Sequence, residues 1–499
     1  MPHFLHGSSL LEEQPKSVAA SAAGTDAGSG VAITVTAVPQ VTRFDFLYPT
    51  LADNEPSGLP EGRDTVADLI ALGRAMDEDN SQPSVDSAIP SIQTYFGQFV
   101  AHDITWERAT ESIQLDNNVQ PWTLEKIRAT LSNSRTSRLD LDSVYGDGNV
   151  GEFAPRDDDG RLQLREVIRD IGRPPNKDAW NDLPRAGKLD TKARIGDPRN
   201  DENLIISQLH VAFLRAHNAI MQEHYSFDEA RRILTQHYQY LVIHDFLERI
   251  THPQVFAELE AQPDYVYQAN ADDLFIPLEF SAAAYRFGHS MIRRTYETNL
   301  NFPAQYPLEL AQMFRFLAGY PGLPESWIVE WEPFLDGGNN SARQIDTKLV
   351  EPLSKMLNSE GQVFSDQARL AVRDLLRGYI LRIPTGQAIA DKLGVKPLTA
   401  DEIKSAVPEA QQEVLDASVF LLERTPLWFY VLAEAAYERN QNSTEKVDYL
   451  GQVGSYLVAG VLFGLILNSA HSVLATPGWT PTFGGKLEDL FALSANYVH

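Results

Sequence analysis

Helical periodicity recurs along most of this chain, and strand signals are sparse. From Asp201 to Tyr225, Leu204, Leu209, Phe213, Leu214, His217 and Ile220 share one face of a helix, with Asn200 and Asp201 as capping candidates. Comparable patterns predict helices over Thr65–Met76, Ile92–Trp106, Leu124–Leu131, Ala230–Ile250, Glu279–Ile292, Leu308–Leu317, Asp366–Leu381, Ala410–Leu422, Leu427–Asn440 and Val447–Leu467. Nothing repeats at a fixed period. The reading is therefore mainly α: a single large helical domain with few short strands over residues 43–499. A flexible N-terminal segment, residues 1–42, precedes it, Ala/Gly/Ser-rich over Ser17–Gly30 and strand-like over Val31–Val38. From Asn117 to Pro198 the periodicity breaks down, and a long irregular segment inside a compact domain is usually functional.

Composition narrows the chemistry. A net charge of −26 argues against nucleic acid or an anionic membrane as partner, which leaves small molecules. The absence of Cys excludes disulfides, thiolate zinc sites, iron–sulfur clusters and thiol catalysis together. Met1–Pro15 has no basic stretch leading into an apolar one, and the longest apolar run, Tyr456–Leu467, is too short for the roughly 30 Å of a hydrocarbon core. The chain thus reads as having no transmembrane segment, and as cytoplasmic or exported without a conventional signal peptide.

Several stretches bring together residues that can do chemistry. Tyr95–Trp106 sets His102 and Asp103 side by side in an otherwise apolar helical run, with Gln98 one turn before His102. Taken alone, such an imidazole is ordinarily a satisfied core histidine. The loop Thr136–Ser143 gathers oxygens on Thr136, Asp140, Asp142 and Ser143, of the kind calcium takes six to eight at a time, although the same residues also describe a solvated acidic turn. Asp197–Asn203 puts acids where a helix dipole favours them and fixes Arg199 on a rigid Asp-Pro step. Tyr285–His289 follows Ser281–Ala284, whose small face admits either a neighbouring helix or a large flat group. Arg286 and His289, three apart, would supply the cation and axial ligand that a haem with anionic propionates needs. His244-Asp245 is a second His-Asp pair and keeps open a metal-dependent phosphohydrolase.

In their order and spacing, Phe96–Asp103, Asp140–Gly146, Gly196–Asn203, Leu209–Asn218 and Tyr285–His289 resemble the animal-type haem peroxidases of the peroxidase–cyclooxygenase superfamily. The likeness continues through Asp374–Tyr379, Leu427–Tyr430 and Pro477–Pro481, covers roughly residues 43–490 and looks most like the bacterial branch. The resemblance implies a haem-dependent peroxidase that reduces hydrogen peroxide and oxidises a small phenolic or (pseudo)halide electron donor, with haem b and calcium bound. It implies His102 as distal acid–base, Arg199 as its partner, Gln98 as distal glutamine, and His289 as ligand to the haem iron. Arg286 and Arg377 would stand near the propionates, and Asp374 would bond the proximal imidazole. Calcium would be held by Asp103, Thr136, Asp140, Asp142 and the carbonyl of Arg138.

Three positions depart from the family pattern. Ala101 replaces an aspartate that can esterify the haem, and Asn203 replaces a methionine that forms a sulfonium link in some members, while Glu202 keeps one ester possible. Asp374 replaces the commoner asparagine. The runner-up within the superfamily is a fatty-acid dioxygenase. It asks for a radical tyrosine three residues before the proximal histidine, where this chain has Arg286.

Overall fold

The computed structural model describes residues 42–78, 85–110, 119–147, 150–170, 172, 181–187, 190–270, 272–317, 321–356, 366–442 and 448–497. All but the last residue of the expected N-terminal segment, with its strand-like run, lies outside them.

The architecture is mainly α. Helix α1 (Arg63–Ala75) is followed by α2 (Ile92–Ile104), in which every residue but Thr94 is buried. A helix that is apolar on all sides belongs in the centre of a core. Phe99 of α2 stacks on Phe213 with ring centroids 4.6 Å apart, and Phe96 meets Tyr238 and Phe246 edge-on. Those partners come from α3 (Leu204–Gln222), from α4 (Phe227–Leu241) and from the π-helical turns Val242–Leu247 that continue α4. After a gap, α5 (Leu370–Ile380) lies on α1, so close that a Cβ on Gly73 would stand 2.8 Å from the backbone nitrogen of Val372. Helices α6 (Leu427–Gln441) and α7 (Gln452–Leu467) pack on the Ala284–His289 segment, and α8 (Leu487–Ala495) covers α3.

Strands are short: β1 (Thr42–Asp45), β2 (Asp86–Pro90), β3 (Glu107–Ala109), β4 (Leu131–Asn133), β5 (Phe275–Pro277) and β6 (Ser341–Arg343). One sheet has the order β3-β4-β1-β5, with β1 and β5 parallel, and β2 pairs antiparallel with β6. This sheet positions the site, since β3 leaves the end of α2 and β5 leads directly into the Tyr285–His289 segment. Among the described residues no helix is long and apolar enough to cross a membrane.

Two expectations need correction. The caps expected at Asn200 and Asp201 lie instead in a separate 3-10 turn, Pro198–Asp201, capped by Asp197. Helix α3 starts later, at Leu204, capped by Asn203, whose side chain accepts from Ile206 N at 3.1 Å. The single helix expected over Glu279–Ile292 is two pieces, an α turn Leu278–Ser281 and a 3-10 turn Ala284–His289. At the break the Arg286 side chain donates to the Ser281 carbonyl at 3.1 Å, taking the acceptor that a continuous helix would offer to residue 285.

Candidate active site

His102 is fully buried near the C-terminal end of α2. Its Nδ1 lies 2.7 Å from Oδ1 of Asn200, whose Nδ2 is in turn 3.0 Å from Nδ1 of His210. Burial, reinforced by the nearby Arg199 guanidinium, pushes the His102 pKa down to about 3, and burial does the same to His210. Both rings are therefore neutral at ordinary pH.

Arg199 is tied down on every side. It donates to Asp197 through Nε at 3.1 Å and Nη2 at 2.7 Å, reaches the carbonyls of His102 at 3.1 Å and Thr105 at 2.5 Å, and lies 4.5 Å over the Trp106 ring. Asp197 also accepts from the fully buried Arg135 at 2.7 Å. Burial opposes charge on Asp197, but the two guanidiniums overcome it and hold the carboxyl well below its usual range. Arg199 thus fastens the irregular Asp197–Asn203 turn to the end of the helix that carries His102.

On the opposite wall, Nδ1 of His289 lies 2.7 Å from Oδ2 of Asp374, while Oδ1 of Asp374 accepts from Arg286 Nη1 at 2.7 Å. A carboxylate only accepts, so Nδ1 of His289 carries the proton and Nε2 presents a lone pair. That Nε2 is buried and makes no hydrogen bond. Trp428 on α6 supports the turn by donating to the Arg286 carbonyl at 3.1 Å.

Between the walls lie two cavities that share Tyr285. The first is mostly apolar and runs from Tyr95 and Gln98 on α2 to His289 and Ile292. The second is rimmed by Glu107, Arg199, Arg286 and Arg377. Tyr285 itself donates to the Gly97 carbonyl at 3.0 Å, tying the 3-10 turn to α2. Arg377 pairs with Glu107, yet its Nε and Nη1 are buried without an acceptor, and burial lowers its pKa to about 10. An apolar slot with a bondless imidazole nitrogen on one wall, and beside it a second cavity with guanidinium N–H groups short of acceptors, fit a flat apolar group with a metal centre and an anionic edge. Glu202 is also buried, which raises its pKa well above the carboxylate range, although Arg199 opposes this.

The oxygen-rich loop sits against α2. Asp103 accepts from Leu141 N at 3.1 Å and Ser143 N at 2.9 Å, and Thr136 donates to Asp142 at 2.6 Å. Ser137 and Leu141 take positive φ, +55° and +57°, to make the bend. Burial, and then the charge on Asp142, raises Asp103 to about 8 and Asp140 to about 7. Among the described residues no three His, Asp or Glu side chains converge as a metal site. A cation here would thus draw on hydroxyl and carbonyl oxygens as well as acids.

Most of the residues singled out from sequence meet in these two walls and the adjoining loop. Arg286 lines the second cavity with Arg377 and is also bonded through Nη1 to Asp374. His244 and Asp245 do not share a site: His244 lies 3.9 Å from Glu260, while Asp245 pairs with Arg249 at 2.8 Å and accepts from Leu487 N. Sequence reasoning gave no role to Asn200 beyond capping, none to Asp197 beyond the Asp-Pro step that fixes Arg199, and none to Arg135, Glu107 or His210. His210 stood inside a matched stretch, which was the available signal.

A model of the animal haem peroxidase family matches residues 117–379, just over half of the chain, and takes in Arg199, His289, Asp374 and Arg377. A peroxidase-like protein of Margaritifera margaritifera is 26% identical over 311 residues, covering 50% of this chain and 38% of that protein. Human thyroid peroxidase is 30% identical over 184 residues, 32% of this chain and 19% of its own length. The chain thus spans well under half the length of these relatives. Among solved structures, Dictyostelium discoideum peroxidase A superposes with a TM-score of 0.57 at 17% identity, covering 86% of this chain and 89% of that one. The fatty acid alpha-dioxygenase of Arabidopsis thaliana gives 0.55 at 12% identity, covering 86% and 73%. These two share the fold.

Proposed function

We propose, because the chain belongs to the animal haem peroxidase family, that it is a haem-dependent peroxidase reducing hydrogen peroxide at the expense of small phenolic or (pseudo)halide donors. The observation that carries this is the buried Nε2 of His289, without a hydrogen bond, in a cavity whose other wall is the helix bearing His102.

His289 would hold the haem iron through Nε2, and Arg377 and Arg286, at the rim of the second cavity, would face its anionic edge. When bound, the haem supplies the electrons that cleave the peroxide O–O bond and collects them again from the donor. His102 is neutral, so Nε2 takes a proton from the incoming peroxide and returns it to the departing oxygen. Arg199, immobilised by Asp197 and the two carbonyls, stabilises the negative charge that develops between those transfers. Gln98, whose amide nitrogen is buried and unbonded at the cavity wall, would orient the peroxide. Glu202 would form at most one ester to the haem. Calcium at Asp103, Thr136, Asp140, Asp142 and the Arg138 carbonyl would fix the loop to the residue adjoining His102.

The test is steady-state turnover of the haem-loaded chain with peroxide, phenols and halides. Haem bound with no peroxide-dependent oxidation of any donor would sink the reading. The dioxygenase alternative is tested by oxygen uptake with linoleate, and Arg286, standing where the radical tyrosine would be, weighs against it.

A further inference from the structure

We propose that His210, ten residues from the Asp197–Asn203 turn's Asn200, is a positioning residue that sets through Asn200 which nitrogen of His102 carries the proton. The three side chains form a buried series: His102 Nδ1 to Asn200 Oδ1 at 2.7 Å, then Asn200 Nδ2 to His210 Nδ1 at 3.0 Å.

A primary amide has two unlike ends, since Oδ1 only accepts and Nδ2 only donates. The ring that meets Oδ1 must be protonated at Nδ1, and the ring that meets Nδ2 must be deprotonated there. With both imidazoles neutral, His102 is the Nδ1–H form with its lone pair on Nε2, and His210 is the Nε2–H form. The two rings therefore hold opposite tautomers. Turning the amide over reverses both and puts a hydrogen on His102 Nε2, so the ring can no longer accept a proton there. The partner of the far nitrogen is what normally decides the tautomer of a working imidazole.

Packing fixes the position of the His210 ring, while its Nε2 is buried and makes no hydrogen bond. It lies on α3, fully buried, with its ring edge-on to Phe99 of α2, and Asn200 is fixed by its own N–H to the Asp197 carbonyl at 3.0 Å. In His210→Leu the acceptor for Nδ2 disappears, and a buried amide without that partner is free to present Nδ2 to His102. His210→Gln keeps a carbonyl able to accept from Nδ2. The catalytic consequence rests on the peroxidase reading, whereas the coupled tautomers do not.

Two measurements test the proposal. Long-range nitrogen–proton correlation on the full chain, labelled with nitrogen-15 histidine, should give the Nδ1–H form for His102 and the Nε2–H form for His210. The same tautomer on both rings overturns it, even if no variant folds. In the haem-loaded chain, cyanide association reports the base apart from turnover, because hydrogen cyanide gives up its proton before binding as the anion. His210→Leu should slow association between about ten- and a hundredfold with haem retained, and His210→Gln should restore most of the rate. Parent-like association in His210→Leu also overturns it. The expected cyanide pattern in a chain with no peroxidase turnover would instead sink the peroxidase reading and leave the positioning role standing.

Discussion

Nδ1 of His289 and Oδ2 of Asp374 lie 2.7 Å apart at the floor of the site, and this one contact orients the His289 ring. It aims the unbonded Nε2 away from the carboxylate and fixes its tautomer. His289→Ala should therefore abolish stable haem retention, read from the Soret absorbance after gel filtration. His244→Ala should keep the haem, since His244 neighbours Glu260 outside the two cavities. Equal loss in both would remove His289 as the ligand.

His102→Ala should retain haem but lower kcat/KM for peroxide by roughly a hundred- to ten-thousandfold, the usual contribution of a general acid–base group. With the ring's pKa near 3, protonation of His102 should not reduce the parent's kcat/KM as pH falls through the ordinary histidine value of 6.5. A rate that titrates away near 6.5 would contradict its burial.

Calcium should co-purify with the folded chain. At a calcium concentration a hundredfold above Kd it should add about 2.7 kcal/mol of stability, lost on chelation or in Asp142→Ala. Because Asp103 clamps the same loop through Leu141 and Ser143, the loss should also disturb the His102 environment. Elemental analysis that finds no calcium in well-folded, active protein would exclude the site.

His217 gives a stability prediction independent of the haem. It is fully buried, and burial, then Arg156 and Arg231, hold its pKa at about 3. A lowered folded value means the unfolded chain binds the extra proton between about 6.5 and 3, so stability falls as pH drops through that window, by about 1.4 kcal/mol per pH unit for one group. His217→Gln, which keeps a partner for the Tyr145 hydroxyl now 2.9 Å from Nδ1, should show a slope near pH 5 smaller by about one proton in urea unfolding. An unchanged slope would mean that His217 titrates normally.

The helices were legible because apolar residues recur at helical spacing, and α2, α5 and α6 fall within a few residues of their expected bounds. The Glu279–Ile292 break was not, because it depends on Arg286 reaching the Ser281 carbonyl, a contact with no periodic signature. The same holds at the site. His102, Arg199 and His289 lie in stretches with a recognisable order, whereas Arg135 and Glu107 matter only through ion pairs with Asp197 and Arg377, from distant parts of the chain. Asn200 looked like a cap since a short polar residue before a helix usually is one, and here Asn203 takes that task.

The last prediction concerns oxidising strength. A carboxylate on the proximal imidazole makes the ring a stronger donor to iron and lowers its potential, but Asp374 spends its other oxygen on Arg286, and that guanidinium draws charge back. Asp374→Asn should therefore raise the haem midpoint potential and Arg286→Leu should lower it, both measurable by redox titration. With Ala101 and Asn203 closing two of three covalent links, the net potential should sit below that of chloride-oxidising relatives. The expected donors are phenols and iodide, without useful chloride turnover. Acid–ketone extraction after peroxide treatment should leave some haem on the parent and none on Glu202→Gln, and complete release from the parent would exclude the ester. Rapid peroxide-dependent oxidation of millimolar chloride at mildly acidic pH would refute the potential argument, and a midpoint potential that rises rather than falls in Arg286→Leu would show that Arg286 does not balance Asp374.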